Sequence, residues 1–346
     1  MIRIGVLHGA IEPPNSNSND SLIFERGKKL LEHFFNSEIY NFNYIVRNKP
    51  FKGDFDGLII LGGPLISRTI HEQSKNIIEY IKDKNITIVC LGLGLSGENF
   101  KSAKSYFLDI ESILFWKYVY GTSKLFSVRD KLTYEVLKQY GIDAEVTACP
   151  ALFDIDGKEQ TPTTKEINKI LVSIPDLTAK SLSHMKLFYL TLYFLWYLKR
   201  KLPDKRLGVT FVHGYSLPQR IIKKFAAMLG IKTHDTSKRS LDAFPELYDY
   251  DVQIGTRLHS TIFFLSINKP SFLFNVDMRT EGFLKTIDVP SARYTISGIK
   301  NLVNMLADRI AENDFENFNN VSSDITSLYS TMKNFLRKIY LFYNER

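Results

Sequence analysis

The sequence predicts an α/β protein of two Rossmann-like domains facing one another across a cleft. Three observations support that reading. Short β-branched apolar runs alternate with amphipathic stretches through the first half, a polar segment interrupts them near the middle, and the alternation then restarts. Glycines stand directly after two of the apolar runs, at Gly62-Gly63-Pro64 and Gly92-Leu93-Gly94, where a buried strand would end and a ligand could approach. A length of 346 residues, 44% apolar and 24% charged, suits two domains of ordinary size and excludes a disordered, collagen-like or disulfide-scaffold chain.

Each element follows from local pattern. Ile2 to Leu7 reads as a first strand, Gly9 to Asp20 as a Gly-, Pro- and Asn-rich loop, and Ser21 to Asn36 as a helix with Leu22, Phe24, Leu30, Leu31 and Phe34 on one face. Strands follow at Gly57–Leu61, Thr87–Leu91, Lys124–Val128 and Ala144–Thr147, with a helix over Lys131–Tyr140 closed by Gly141. These place the first domain at residues 1–155. The polar stretch around Gly157 and Pro162 gives a linker at 156–168. The second domain, 169–315, has strands at Ile170–Ile174, Gly208–Val212, Asp251–Gly255 and Ser271–Asn275. Its helices fall at Ser181–Leu202, Ile221–Leu229, Ser260–Ile267 and Ile299–Glu312. A final helix, Ile325 to Tyr343 within a segment 316–346, is expected to pack back on the first domain.

Composition narrows the function. The net charge of +8 is a modest excess that suits an anionic substrate or an acidic membrane face. The basic residues are scattered and carry no nucleic-acid-binding signature, so nucleic acid is not an expected partner. Two separated cysteines in apolar surroundings, Cys90 and Cys149, fit a reducing compartment and exclude a multi-thiolate metal site. The first residues lack the apolar core of a signal peptide, so the expected location is the cytoplasm. In Leu187 to Leu198 only Thr191 is not Leu, Phe, Tyr or Trp. That stretch is shorter than the roughly 20 residues of a membrane span. A buried helix and a membrane-facing patch flanked by Lys199, Arg200 and Lys201 both stay open, and Met332 to Tyr340 admits the same pair of readings.

Three blocks could carry chemistry. Ile254 to Ser260 sets Arg257 and His259 two apart at a strand-to-helix corner, where Arg can grip a carboxylate or phosphate and imidazole can exchange a proton. The bland alternative is an Arg paired with a structural Asp and a His closing its helix. Phe126 to Asp130 ends another strand, with Asp130 placed to cap the next helix beside Arg129. Phe274 to Arg279 ends a third, with Asp277 and Arg279. No compact His and carboxylate cluster argues for a metal.

Taken in order, these blocks resemble the polysaccharide pyruvyl transferase family. The resemblance rests on Gly62-Gly63, on Val128-Arg129-Asp130 with Gly141-Ile142 and Pro150-Ala151, and on Arg257-Leu258-His259 before an apolar helix. It implies a GT-B-like fold, an acceptor side in the first domain and a donor side in the second. It also implies transfer of the enolpyruvyl unit of phosphoenolpyruvate onto two sugar hydroxyls as a ketal, with phosphoenolpyruvate as co-substrate and no cofactor. Residue by residue, Arg257, Arg279, Asp277 and Ser260 would hold the donor and His259 would be the acid, base or phosphate partner. Gly62, Gly63, Gly92, Arg129, Asp130 and Asp20 would line the cleft. The acceptor would be a carbohydrate of a surface glycan or its lipid-linked precursor, met in the cytoplasm or at the inner membrane face. Cys149 stands where the family block usually has Asp. Two alternatives stay open: a glycosyltransferase using a nucleotide sugar, marked by a cleft-facing carboxylate base at Asp20 or Asp277, and a glycan-binding protein without activity.

Overall fold

A computed structural model describes residues 1–10, 18–47, 49–70, 72–81, 84–96, 103–155, 166–177, 182–211, 216–237 and 239–345. Within them the first half forms β1 (Ile2–His8), α1 (Ser18–Phe34), β2 (Tyr40–Val46), β3 (Gly57–Leu61), α2 (Glu72–Ile81), β4 (Thr87–Leu93), α3 (Ile110–Ser123), β5 (Phe126–Val128), α4 (Lys131–Lys138) and β6 (Glu145–Val146). The second half forms β7 (Lys169–Ser173), α5 (Leu182–Lys201), β8 (Arg206–Phe211), α6 (Leu217–Met228), β9 (Lys232–Asp235), β10 (Val252–Gly255), α7 (Leu258–Ser266), β11 (Ser271–Asn275), α8 (Met278–Thr286), β12 (Ser291–Arg293), α9 (Ile296–Glu312) and α10 (Asn317–Asn344).

The strands make two six-stranded parallel sheets, ordered β2-β1-β3-β4-β5-β6 and β12-β11-β10-β7-β8-β9. Central strands read as unbroken apolar runs because helices cover both of their faces. Gly57–Leu61 and Thr87–Leu93 are buried at every position. In each sheet the chain reverses direction of growth beside its first strand, between β1 and β3 and between β7 and β10. A crevice opens at such a reversal, beyond the carboxyl ends of the strands. It therefore falls at His8 and Gly62 in one half and at Ser173 and Thr256 in the other.

Several expectations are adjusted. The first helix begins at Ser18, so Asn19 and Asp20 are helical and not part of the preceding loop; residues 11–17 of that loop and 156–165 of the expected linker lie outside the described residues. β2, β9 and β12 are edge strands without an apolar run, and α2, α3 and α8 were not expected from the pattern. The stretch Met332 to Tyr340 is not a membrane-facing patch: Met332, Phe335, Leu336 and Ile339 are fully buried as α10 returns to the first half. There Tyr40 Oη donates to the Tyr340 carbonyl at 3.1 Å and Lys338 Nζ meets Glu145 Oε1 at 2.8 Å. Gly57 has no room for a Cβ, which would lie 2.1 Å from the Tyr343 hydroxyl.

The two halves are pinned together by Arg26 of α1, which is 1% exposed. Its Nε and Nη2 donate to the two oxygens of Asp242 at 3.0 and 2.7 Å, and its Nη1 donates to the Ala151 carbonyl at 2.8 Å and to Ser266 Oγ at the end of α7. A second seam joins α4 to α8. Lys131 N donates to Thr286 Oγ1 at 2.9 Å, and a Cβ on Gly282 would lie 2.5 Å from Asp130 Oδ1. One apolar cluster runs from α1 through residues 148–153 and α7 into the second sheet and α10, so the halves share a core.

Candidate active site

The corner after β10 is built by Ser173 at the end of β7. Its Oγ accepts from Gln253 Nε2 at 2.8 Å and from Arg257 N at 3.2 Å, and its carbonyl accepts from Thr256 N at 2.9 Å. Arg257 takes the position before the first turn of α7 without capping it by its side chain, and its Nε donates to the Ile174 carbonyl at 2.8 Å. Arg257 and the first residues of α7, Leu258 and His259, line the same opening, where the helix dipole favours an anion. Burial lowers the Arg257 pKa to about 10, with Asp176 supporting and Arg279 opposing its charge, so it stays cationic at neutral pH.

The opening is a cavity of about 470 Å³ lined by Asn19 of α1, Asp176, Lys186 of α5, Arg257, His259 and Arg279 among others. His259 sits in the first turn of α7, 6% exposed, with no partner for its Nε2. Burial lowers its pKa to about 3, and Arg129, Arg279 and Arg257 push in the same direction against a weaker pull from Asp277. The imidazole is neutral at physiological pH, and three arginines drawn from both halves act on it.

The other expected residues divide. Asp277 caps α8, its Oδ1 accepting from Arg279 N at 2.9 Å and Thr280 N at 3.1 Å. Its Oδ2 takes both Arg279 Nε at 2.9 Å and Arg279 Nη2 at 2.5 Å. Burial alone would raise the Asp277 carboxyl, but Arg279 and these amides hold it below its ordinary value, so it is a committed anion and not a base. Arg279 keeps a 42% exposed side chain at the cavity wall. Asp130 caps α4 through Thr133 N at 2.7 Å and holds Arg129 Nε at 3.1 Å. Arg129 also donates to the Leu95 carbonyl at 3.1 Å, which leaves its buried Nη1 without a partner. Ser260 is buried in α7 and does not line the cavity, because its helix turns it away from the side that carries His259.

The glycines make room for protein and not for ligand. Gly62, Gly63 and Gly92 have φ of +53°, +86° and +68°. A Cβ on each would strike Ile23 of α1 at 2.4 Å, the Arg47 guanidinium at 2.2 Å and Pro150 at 2.6 Å. Arg47 is the residue that sequence reasoning missed. Buried just after β2, it donates from Nη1 to the Gly62 carbonyl at 2.8 Å and the Leu61 carbonyl at 3.2 Å. Burial lowers its pKa to about 10 while Asp20 supports its charge. Asp20 in turn has a raised pKa because burial outweighs the pull of Arg47, Arg279 and Arg129. His8, at the end of β1, stacks on Phe24 at 3.9 Å and is lowered to about 4 by burial and Arg47. The signal that could have found Arg47 and His8 is the one used elsewhere, a charged or titratable residue directly after a strand. Among the described residues no three His, Cys, Asp or Glu side chains gather as a metal site would require.

The two buried histidines link stability to pH in one direction. Both fall below the ordinary 6.5, so between that value and their own the unfolded chain binds more protons than the folded one. Their contribution is complete above the ordinary value and is lost as pH falls towards 4 and 3. Asp20 opposes this within the carboxylate range. The urea midpoint should therefore drop between about pH 7 and about pH 5, and His8→Gln with His259→Gln should flatten that slope. A slope unchanged by the pair of substitutions would assign the dependence elsewhere.

The fold is of the GT-B type, two Rossmann-like α/β halves facing one another across a cleft. The fold is shared with S. aureus MnaA in its UDP co-structure, at 13% identity and a TM-score of 0.57 over 99% of this chain and 97% of that one. It is also shared with the UDP-GlcNAc 2-epimerase of Neisseria meningitidis bound to UDP-GlcNAc, at 9% identity and a TM-score of 0.55 over 98% and 100%. The polysaccharide pyruvyl transferase family model matches residues 20–278, and the chain belongs to that family. No curated protein sequence matches it. No helix of the described residues is long and apolar enough to cross a membrane.

Proposed function

We propose that the protein moves the enolpyruvyl unit of phosphoenolpyruvate onto two hydroxyls of a sugar in a surface glycan or its lipid-linked precursor. The observation that carries this reading is the neutral His259 at the α7 N-terminus, which lines one cavity with Arg257 and Arg279 and is acted on by both and by buried Arg129. The donor bears a carboxylate and a phosphate, and a cluster of arginines with a helix N-terminus is the arrangement such a dianionic ligand needs. No metal or cofactor enters the scheme.

The roles follow from charge. Arg257 takes the phosphate or the carboxylate, with Arg279 across the cavity, while buried Arg129 adds positive potential from the first half without lining the cavity. Protonation of the donor's methylene carbon makes C2 electrophilic. One sugar hydroxyl adds to C2 and phosphate leaves; the second hydroxyl then closes the ketal. Of the two hydroxyl protons released overall, one ends on the new methyl group and one on phosphate. Arriving phosphate offsets the arginine field that adds to burial in keeping His259 neutral, so donor binding raises its pKa towards holding a proton beside the leaving group. Asp20, a buried carboxyl with raised pKa within electrostatic reach of Arg47 and Arg279, would take a proton from the attacking hydroxyl in this scheme.

One observation favours a second reading. Asp20 is a carboxyl within electrostatic reach of Arg279 across the two halves, and the GT-B fold is shared with proteins solved with UDP or a UDP-sugar. Here the arginines would clamp a diphosphate. Calorimetric titration with phosphoenolpyruvate, and separately with UDP, GDP, CMP and their sugars, separates the two. Binding of phosphoenolpyruvate alone is expected, and binding of a nucleotide alone would replace pyruvyl transfer with glycosyl transfer.

A further inference from the structure

Helices α5 and α6 lie side by side on the second half and present a surface that the proposed chemistry leaves unused. One face of α5 is core, through Leu190, Phe194, Leu195 and Leu198. Its opposite face leaves Met185, Tyr189 and Trp196 exposed, and α6 adds Leu217, Ile221 and Met228, the first and last 72% and 83% exposed. Apolar side chains this far out of the protein contribute nothing to its core. On these two helices the charge has one sign. α5 carries Lys186, Lys199, Arg200 and Lys201, α6 carries Arg220, Lys223 and Lys224, and neither helix contains an Asp or Glu. The Arg200 guanidinium lies 5.4 Å from the Trp196 ring centroid, a pairing that keeps an amphipathic ring and a cation together at one depth.

We propose that the α5–α6 face docks on the surface of an anionic phospholipid bilayer. Exposed apolar and Tyr/Trp side chains bordered by single-sign basic charge are what an interfacial helix presents to acyl chains and anionic headgroups. The other exposed apolar stripe, Ile110, Leu114 and Tyr118 on α3, carries Glu111 and Lys117 and lacks that uniform sign. The α5 surface is also continuous with the site. Lys186, Leu187 and Leu190 line the active-site cavity, so the docked face starts at the cavity mouth. This geometry suits an acceptor whose sugar enters the cleft while its lipid stays in the bilayer. That last step rests on the pyruvyl-transfer reading; the docking itself does not.

The test is co-sedimentation of the full chain, without phosphoenolpyruvate, with vesicles of equal parts phosphatidylcholine and phosphatidylglycerol and with vesicles of phosphatidylcholine alone. Partition into the anionic vesicles is expected, weakening as salt rises. Lys223→Gln with Lys224→Gln should reduce it by about fivefold per charge, and Tyr189→Ser with Trp196→Ser should reduce it further. These exposed positions should leave folding and phosphoenolpyruvate affinity unchanged. Arg257→Ala should leave vesicle partition unchanged, so failure of docking and failure of the donor assignment are separate outcomes. Absence of binding, equal binding to both vesicles, or binding unaffected by the aromatic substitutions overturns the proposal. So does a dimer that Trp196→Ser converts to monomer, which would make the face an interface between two copies.

Discussion

Arg257→Ala is expected to weaken phosphoenolpyruvate binding by about ten- to a hundred-fold, since a lost charge-assisted hydrogen bond costs roughly 1.5–3 kcal/mol. The effect should be large because the neighbouring arginines are bound up in other contacts and lysine lacks the planar fork. Arg279 is committed to Asp277 through two hydrogen bonds, and Arg129 is committed to Asp130 and the Leu95 carbonyl. Arg257 spends only its Nε and backbone amide on the corner, at the Ile174 carbonyl and Ser173. The residue also lines the cavity. Arg257→Lys keeps the charge but loses the planar fork, and should recover only part of the affinity. Calorimetry on both variants, with circular dichroism to establish folding, reads the result. Donor affinity unchanged in a folded Arg257→Ala protein would remove the residue from the donor site and with it the main support for pyruvyl transfer.

Arg26→Met should lower global stability by about 3 kcal/mol, the lower end of the cost of breaking a buried ion pair. The lower end applies because Asp242 is 23% exposed and regains some hydration when its partner is lost. The variant also strips a donor from the Ala151 carbonyl and from Ser266, and removes the cation lying over the Phe263 ring. Arg26 joins α1 to the second half, and α1 carries Asn19 and Asp20 at its start. Loss of stability should therefore come with weaker acceptor binding, while Arg257 and the donor corner remain intact. Urea unfolding of Arg26→Met, Asp242→Asn and the double variant measures the coupling. If the two changes add without interaction, the pair does not hold the halves together.

Much of the donor corner was legible in sequence because it is local. A strand, a Gly-Thr-Arg step and an apolar helix follow one another within Val252–Ser266, so the chain direction alone brings Arg257 and His259 to one corner. Asp130 and Asp277 as helix caps were legible for the same reason, since a cap bonds amides two or three residues on. Central strands such as Gly57–Leu61 showed as unbroken apolar runs. Edge strand β2 did not, because it packs on one face and Tyr40–Val46 mixes Asn with aromatics.

What the sequence by itself determined, then, is the alternation of strands and helices, the two-domain α/β class, the family, and the arginine and histidine of one strand-to-helix corner. All of these depend on residues near each other in the chain. Only the tertiary structure decided that Arg129 and Asp20 of the first half come within electrostatic reach of residues of the second, Arg279 among them, that Arg47 fills the space left by Gly63, and that the last helix is core. It also decided that Leu187–Leu198 is core on one side and exposed on the other. Those outcomes depend on sheet order and on which faces meet across the seam. Burial and electrostatic fields arise from neighbours far apart in sequence, and a local pattern carries no record of them.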